Sequence, residues 1–131
     1  MIESHWRADV LATIFGVILV AVGLLGFVPN PVVYDSGFFQ VNAAHNFAHL
    51  ISGGLLMLSP FFGAPVLMIR ALAVAYAAIA ILGFAAPNAV QLGGLLAVNT
   101  ADNWLHAAIA AVLLAIGFTT PMERSFTLAH M

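Results

Sequence analysis

The chain has 131 residues, 63% of them hydrophobic and 6% charged, and its mean hydropathy is +1.09. Soluble domains carry about a quarter of their residues as Asp, Glu, Lys or Arg, so this composition cannot cover a water-facing surface and reads as an integral membrane protein. A net charge of -2 without any basic cluster excludes the electrostatic footprint of a nucleic-acid binder. The absence of cysteine removes disulfides, thiolate metal sites and thiol chemistry together.

A crossing takes about 20 mainly apolar residues at 1.5 Å rise, and four segments meet that requirement. The first covers residues 10–28 and ends where Pro29 and Pro31 stop a helix. Arg7 ahead of an apolar run resembles a secretory signal, but the run is long and lacks a clear small-x-small cleavage site, so it is read as a span. The second covers 42–59 and ends at Pro60 with a turn through Gly63. The third covers 65–84, with Pro65 in its first turn and Pro87 beyond its end. The fourth covers 100–118 and stops before Pro121. The expected fold is therefore an all-α membrane protein, a single four-helix domain. Arg7, Arg70 and Arg124 fall on one side of it, which the positive-inside rule makes cytoplasmic together with both termini.

Shifted by 57 positions, the separation of His49 and His106, the chain aligns with itself without a gap. Leu25-Gly26-Phe27 falls on Leu82-Gly83-Phe84, Gly37 on Gly94, Val41-Asn42 on Val98-Asn99, and Asn46 on Asn103. This predicts two tandem helical hairpins, residues 10–60 and 67–118, related by a pseudo-two-fold axis along the membrane normal. Small residues follow the motif in both copies, so spans two and four are expected to meet near the axis at Gly53 and Ala110.

The duplicated motif reads Asn42-Ala43-Ala44-His45-Asn46-Phe47-Ala48-His49 in one copy and Asn99-Thr100-Ala101-Asp102-Asn103-Trp104-Leu105-His106 in the other. Asn42 and Asn99 suit N-caps, and Asp102 suits the third helical position, where an acid complements free amides. Capping does not account for His49, His106, Asn46 or Asn103, which lie deeper in the outer leaflet. Polar residues there face the bundle interior or water. They form either an interhelical hydrogen-bond network or a metal site. In the metal reading His45, His49, Asp102 and His106 are candidate ligands of Zn, Fe, Mn or Cu, oriented by Asn46 and Asn103. On either reading His49 and His106 approach each other across the axis and Asp102 lies near His45. A histidine facing lipid would instead suit an axial ligand of haem or a chlorophyll-type pigment. Elsewhere, Arg70 is expected to snorkel to headgroups, Trp6, Trp104 and Tyr34 to sit in interfacial belts, Tyr76 to pack with its hydroxyl bonded locally, and His5 and His130 to be solvated.

At His45-Asn46-x-x-His49-Leu50 and Val98-Asn99-x-Ala101-Asp102-Asn103-x-Leu105-His106 the chain resembles an uncharacterised family of small four-span bacterial membrane proteins, a domain of unknown function. The resemblance runs from the end of span one to the end of span four. It departs from the expected pattern at Ala110, where a glycine like Gly53 would stand. It implies the fold and a place in the bacterial inner membrane, and nothing about substrate. The first functional expectation is a non-enzymatic accessory subunit bound laterally among lipids and other membrane-protein subunits of a photosynthetic or respiratory complex. The alternative is a stand-alone metal-binding membrane protein. A small transporter is the weaker third, since only one leaflet carries polar groups.

Overall fold

The computed structural model describes residues 2–122. Arg124 and His130 lie outside the described residues, as do the side chains of His5 and Trp6. The elements in order are α1 (Ile2–Leu25), β1 (Val33–Tyr34), β2 (Phe39–Gln40), α2 (Ala43–Leu58), a 3-10 turn (Ser59–Phe62), α3 (Pro65–Ala85), α4 (Pro87–Val90), a second 3-10 turn (Leu92–Gly94) and α5 (Thr100–Thr119). Three helices are long and apolar enough to cross a membrane: Arg7–Leu25 within α1, Pro65–Ala85 and Thr100–Thr119. Such runs form helices because lipid offers no partner to a backbone N–H or C=O, so each must be satisfied within its own segment.

The ends of these helices differ from the expected positions for local reasons. The α1 helix stops at Leu25, short of residue 28, because Asn30 closes it: its Nδ2 donates to the carbonyls of Leu25 (3.2 Å), Val28 (2.7 Å) and Val33 (2.8 Å). The α2 helix has 16 residues and is the one long helix below span length on its own. Its chain continues as the tighter turn Ser59–Phe62, ended by Gly63 at φ 64. The loops carry short elements of their own. In the first, β1 and β2 pair in parallel, Val33 opposite Phe39 and Tyr34 opposite Gln40. In the second, α4 and a 3-10 turn occupy the corresponding stretch.

The principal packing is α1 along α2 and α3 along α5. Gly53 does not meet Ala110. It faces α1, where a side chain at Gly53 would collide with the Gly16 carbonyl and Val20. The corresponding pair one repeat on, Ala73 and Ala110, is buried in the core. Small residues thus close each helix pair internally, and the α1 and α3 helices touch each other while α2 and α5 come together only through side chains. Their shared core holds Ala12, Leu19, Leu56, Ile69, Ala73, Tyr76, Ala110 and Leu113.

Arg70 also departs from expectation. Its Nε donates to the Gly117 carbonyl (2.7 Å) and its Nη2 to the Thr120 carbonyl (2.9 Å), with the guanidinium 5.0 Å from the Phe118 ring. The last carbonyls of a helix have no partner in their own helix, and a guanidinium satisfies two of them at once. The arginine therefore ties the start of α3 to the end of α5.

Candidate functional site

Each motif begins with a capped helix. The Asn42 Oδ1 accepts from the His45 N–H (3.0 Å) and the Asn99 Oδ1 from the Asp102 N–H (3.0 Å). In the second copy the cap is reciprocal, since Asp102 Oδ2 accepts from the Asn99 N–H (2.9 Å). Both asparagines therefore do what the sequence suggests. Their amide groups do something further. Asn42 Nδ2 donates to the Leu95 carbonyl (2.8 Å) and Asn99 Nδ2 to the Phe38 carbonyl (2.9 Å). Phe38 and Leu95 are themselves 57 positions apart, so each copy donates to the same place in the other.

The same exchange recurs one turn on. His45 Nδ1 donates to the Ala97 carbonyl (2.6 Å), while at the matching position the Asp102 carboxylate takes a backbone hydrogen bond from Gln40. A carbonyl can only accept, so His45 Nδ1 carries a proton.

His45, His49 and His106 converge. All three are buried, and their ring centroids are 4.6 Å (His45 to His49), 5.7 Å (His45 to His106) and 6.5 Å (His49 to His106) apart. One ligand nitrogen from each lies within 4.8 Å of the others. His49 Nδ1 and His106 Nδ1 are buried without any hydrogen-bond partner, an arrangement that costs about 1–3 kcal/mol per group if nothing satisfies it. The remaining candidate residues are placed around this group. Asp102 stands outside the convergent group, because its carboxylate is turned to the cap and to the backbone of the other copy. Asn46 and Asn103 do not orient the imidazoles. They seat against Gly26 and Gly83, the Asn46 and Asn103 Oδ1 atoms touching the places where a glycine-to-alanine methyl would go, and both Oδ1 atoms lack a partner.

Two cavities flank the histidines, each touching both His49 and His106. The larger, about 350 Å³, lies between α2 and α3 under the segment 89–98. The smaller, about 180 Å³, lies between α1 and α5. Every residue lining the smaller one except Leu113 has its counterpart, 57 positions away, in the wall of the larger. Tyr76 and Ser52 line the larger cavity, with their hydroxyl oxygens 3.4 Å apart and the Tyr76 ring 5.5 Å from that of His106. Sequence reading had left both as packing. The available signal was their mismatch within the repeat, where Leu19 and Ile109 stand instead.

The family model "Domain of unknown function (DUF4383)" matches residues 9–119. The chain belongs to that family. No curated protein and no solved structure matches the chain. As a DUF4383 member it is a small helical protein whose long apolar helices fit a membrane, with the imidazole cluster and both cavities inside the matched region.

Proposed function

We propose that the chain crosses the membrane four times, as two tandem hairpins related by a pseudo-two-fold axis, and binds one transition-metal ion through His45, His49 and His106. The reciprocal bonds from Asn42 to Leu95 and from Asn99 to Phe38 support the axis. The α2 helix supplies about 24 Å of rise, and the 3-10 turn after it about 8 Å more, together close to a hydrocarbon thickness of about 30 Å. Arg7, Arg70 and Arg124 then share one face of the membrane, and we assign that face and both termini to the cytoplasm of a bacterial inner membrane.

The observation that carries the metal reading is the convergence of three buried imidazoles whose nitrogens lie within 4.8 Å of one another. Nitrogens about 2.1 Å from a shared ion are about 3.5 Å apart in tetrahedral geometry, so small rotations of the rings close the set. The Nδ1 bond from His45 to Ala97 is the outer contact that a ligating imidazole makes, and it aims Nε2 at the ion. With Asp102 turned away, the ligands are all nitrogen, which suits Zn or Cu better than Mn. A fourth position is left for water or a substrate, in the pattern of three-histidine zinc sites. Asp102 still serves the site, because a carboxylate nearby offsets part of the charge of a divalent ion held in low dielectric. The accessory-subunit reading has a weaker support: an apolar exterior with exposed Phe47, Ile51 and Phe61 is satisfied by lipid alone.

The test uses the full chain purified in detergent, loaded with Zn²⁺ or with Co²⁺ as a spectroscopic substitute, then dialysed and assayed for metal. One ion per chain is expected, with loss of the ion in His45→Ala, His49→Ala and His106→Ala, and retention in Asp102→Asn. Absence of stoichiometric metal, or retention in all three alanine variants, overturns the proposal.

A further inference from the structure

The two cavities occupy equivalent places in the two copies, yet they have not stayed alike. At the mouth of the larger cavity are Ala48 of α2 and Ala75 of α3, both exposed. The matching residues at the smaller cavity are Leu105 and Ile18. Deeper in, Leu72 replaces Phe15 and Ser52 replaces Ile109. With Leu96 in place of Phe39, five matched wall positions are smaller on this side and three, His45, Tyr76 and Ile79, are larger; the cavities measure about 350 and about 180 Å³. The change in polarity runs the same way. Tyr76 stands where the other copy has Leu19, and Ser52 where it has Ile109.

We infer that the larger cavity is a binding site for a neutral, lipid-phase molecule with an oxygen-bearing head, entering sideways between α2 and α3. The inference uses the membrane reading above and does not depend on a bound metal. The entrance follows from the rim, since exposed alanines on two lipid-facing helices leave a gap that Leu105 and Ile18 fill in the other copy. The apolar body follows from a wall in which ten of the fifteen lining residues are aliphatic, as lipid-soluble ligands require. The head follows from the polar groups gathered on one side: Tyr76, Ser52 and the imidazoles of His49 and His106.

The Tyr76 hydroxyl is the available donor. Ser52 commits its own proton to the Ala48 carbonyl (2.8 Å), so Tyr76 can donate only to Ser52 Oγ, at 3.4 Å, well beyond the usual 2.7–2.8 Å of an O–H···O bond. A ligand carbonyl or hydroxyl within reach would take that proton on better terms. The unpartnered Nδ1 atoms of His49 and His106, each on a side chain more than nine-tenths buried, mark the same wall as short of partners. The lining favours a neutral head, since no Lys or Arg side chain stands there to pair with an ionised one.

Two probes cover the sources of such a head. Decylubiquinone carries ring carbonyls, and 1-decanoylglycerol carries hydroxyls on the same length of chain. The full chain in phosphatidylcholine nanodiscs is equilibrated with each probe, and retained probe per chain is measured together with metal content. At least one probe is expected to bind at one per chain, and which one does identifies the head. Ala48→Leu combined with Ala75→Ile should weaken that binding by about 10-fold or more, as loss of the fitted volume implies. Those residues already occupy the matching positions in the other copy, and an unchanged helical circular dichroism spectrum shows that the fold persists. Tyr76→Phe, which leaves the cavity shape alone, should weaken it about 5- to 10-fold, the worth of one hydrogen bond. Failure of both probes to bind, or binding indifferent to both the filling pair and Tyr76→Phe, overturns the inference whether or not the histidines hold metal.

Discussion

Two adjacent glycines in α2 give a sharp test of how the first hairpin is packed. A methyl group added at Gly53 would lie 2.7 Å from the Gly16 carbonyl oxygen, 2.8 Å from Val20 Cγ2 and 2.9 Å from the Val20 backbone nitrogen. Contacts of this kind settle at about 3.5–4.0 Å, so α1 would have to retreat by nearly 1 Å. Two of the three obstacles are backbone atoms and cannot rotate away. Overpacking of that size costs about 1–3 kcal/mol. At Gly54 the added methyl meets nothing within 4 Å. Both substitutions remove glycine's helix penalty of about 1 kcal/mol, so that gain cancels when the two are compared. Gly53→Ala should therefore be less stable than Gly54→Ala by about 1–3 kcal/mol. The measurement is unfolding by sodium dodecyl sulfate titration in mixed micelles, followed by helical circular dichroism. Equal stability of the two variants would refute the packing of α2 against α1. A cycle with Ala110→Leu separates the rival arrangement: coupling between Gly53→Ala and Ala110→Leu would restore a Gly53 to Ala110 contact, and additivity is expected here.

Other consequences can be checked in the same system. Serine caps a helix about as well as asparagine but cannot reach the other copy, so Asn42→Ser should lose only the bond to Leu95, about 0.5–1.5 kcal/mol. Asn42→Ala loses the cap as well and should cost about 1 kcal/mol more; an Asn42→Ser variant as stable as the parent would show that the crossing bond contributes nothing. Arg70→Met should raise amide exchange at the end of α5 and destabilise by about 1–3 kcal/mol, with Arg70→Lys recovering only part, because an ammonium cannot hold both carbonyls in a fork. Unchanged exchange near Gly117 would mean that the guanidinium only faces the headgroups.

The repeat was the most legible feature in the sequence because it is a pattern in residue identity, independent of packing. Asn42 and Asn99 announced both helix starts and the depth at which the histidines sit. Partners were harder to read. Helix-compatible small residues at Gly53 and Ala110 say that something comes close, and a glycine face does not name its neighbour; α1 took the place expected of the fourth span because Gly16 offers a matching gap. Asp102 was legible as a cap and as a ligand alike, and the choice depended on Gln40, a loop residue 62 positions earlier that no local spacing reveals. Arg70 is the same kind of case. An arginine near a membrane face satisfies its charge in several ways, and only the position of the Gly117 carbonyl decides among them.

The positions at which the copies agree and those at which they differ do separate work. Asn42 and Asn99, Gly26 and Gly83, and Asn46 and Asn103 are identical pairs, and each pair makes the same contact twice. The bonds of Asn42 and Asn99 cross between the two halves, while Gly26 with Asn46 and Gly83 with Asn103 close each hairpin internally. His49 and His106 are also identical, but they lie between the cavities and are shared by both. Around them the copies differ. His45, Ala48, Ser52, Leu72, Ala75 and Tyr76 all face the larger cavity, and each is smaller or more polar than, or offers a donor absent from, its counterpart. A strictly symmetric protein would give His49 and His106 two identical flanks. Here one flank carries His45, the third imidazole of the cluster, and the other carries Asp102. The larger cavity lies on the side of His45, Ser52 and Tyr76, so the third imidazole and the extra space fall on the same flank.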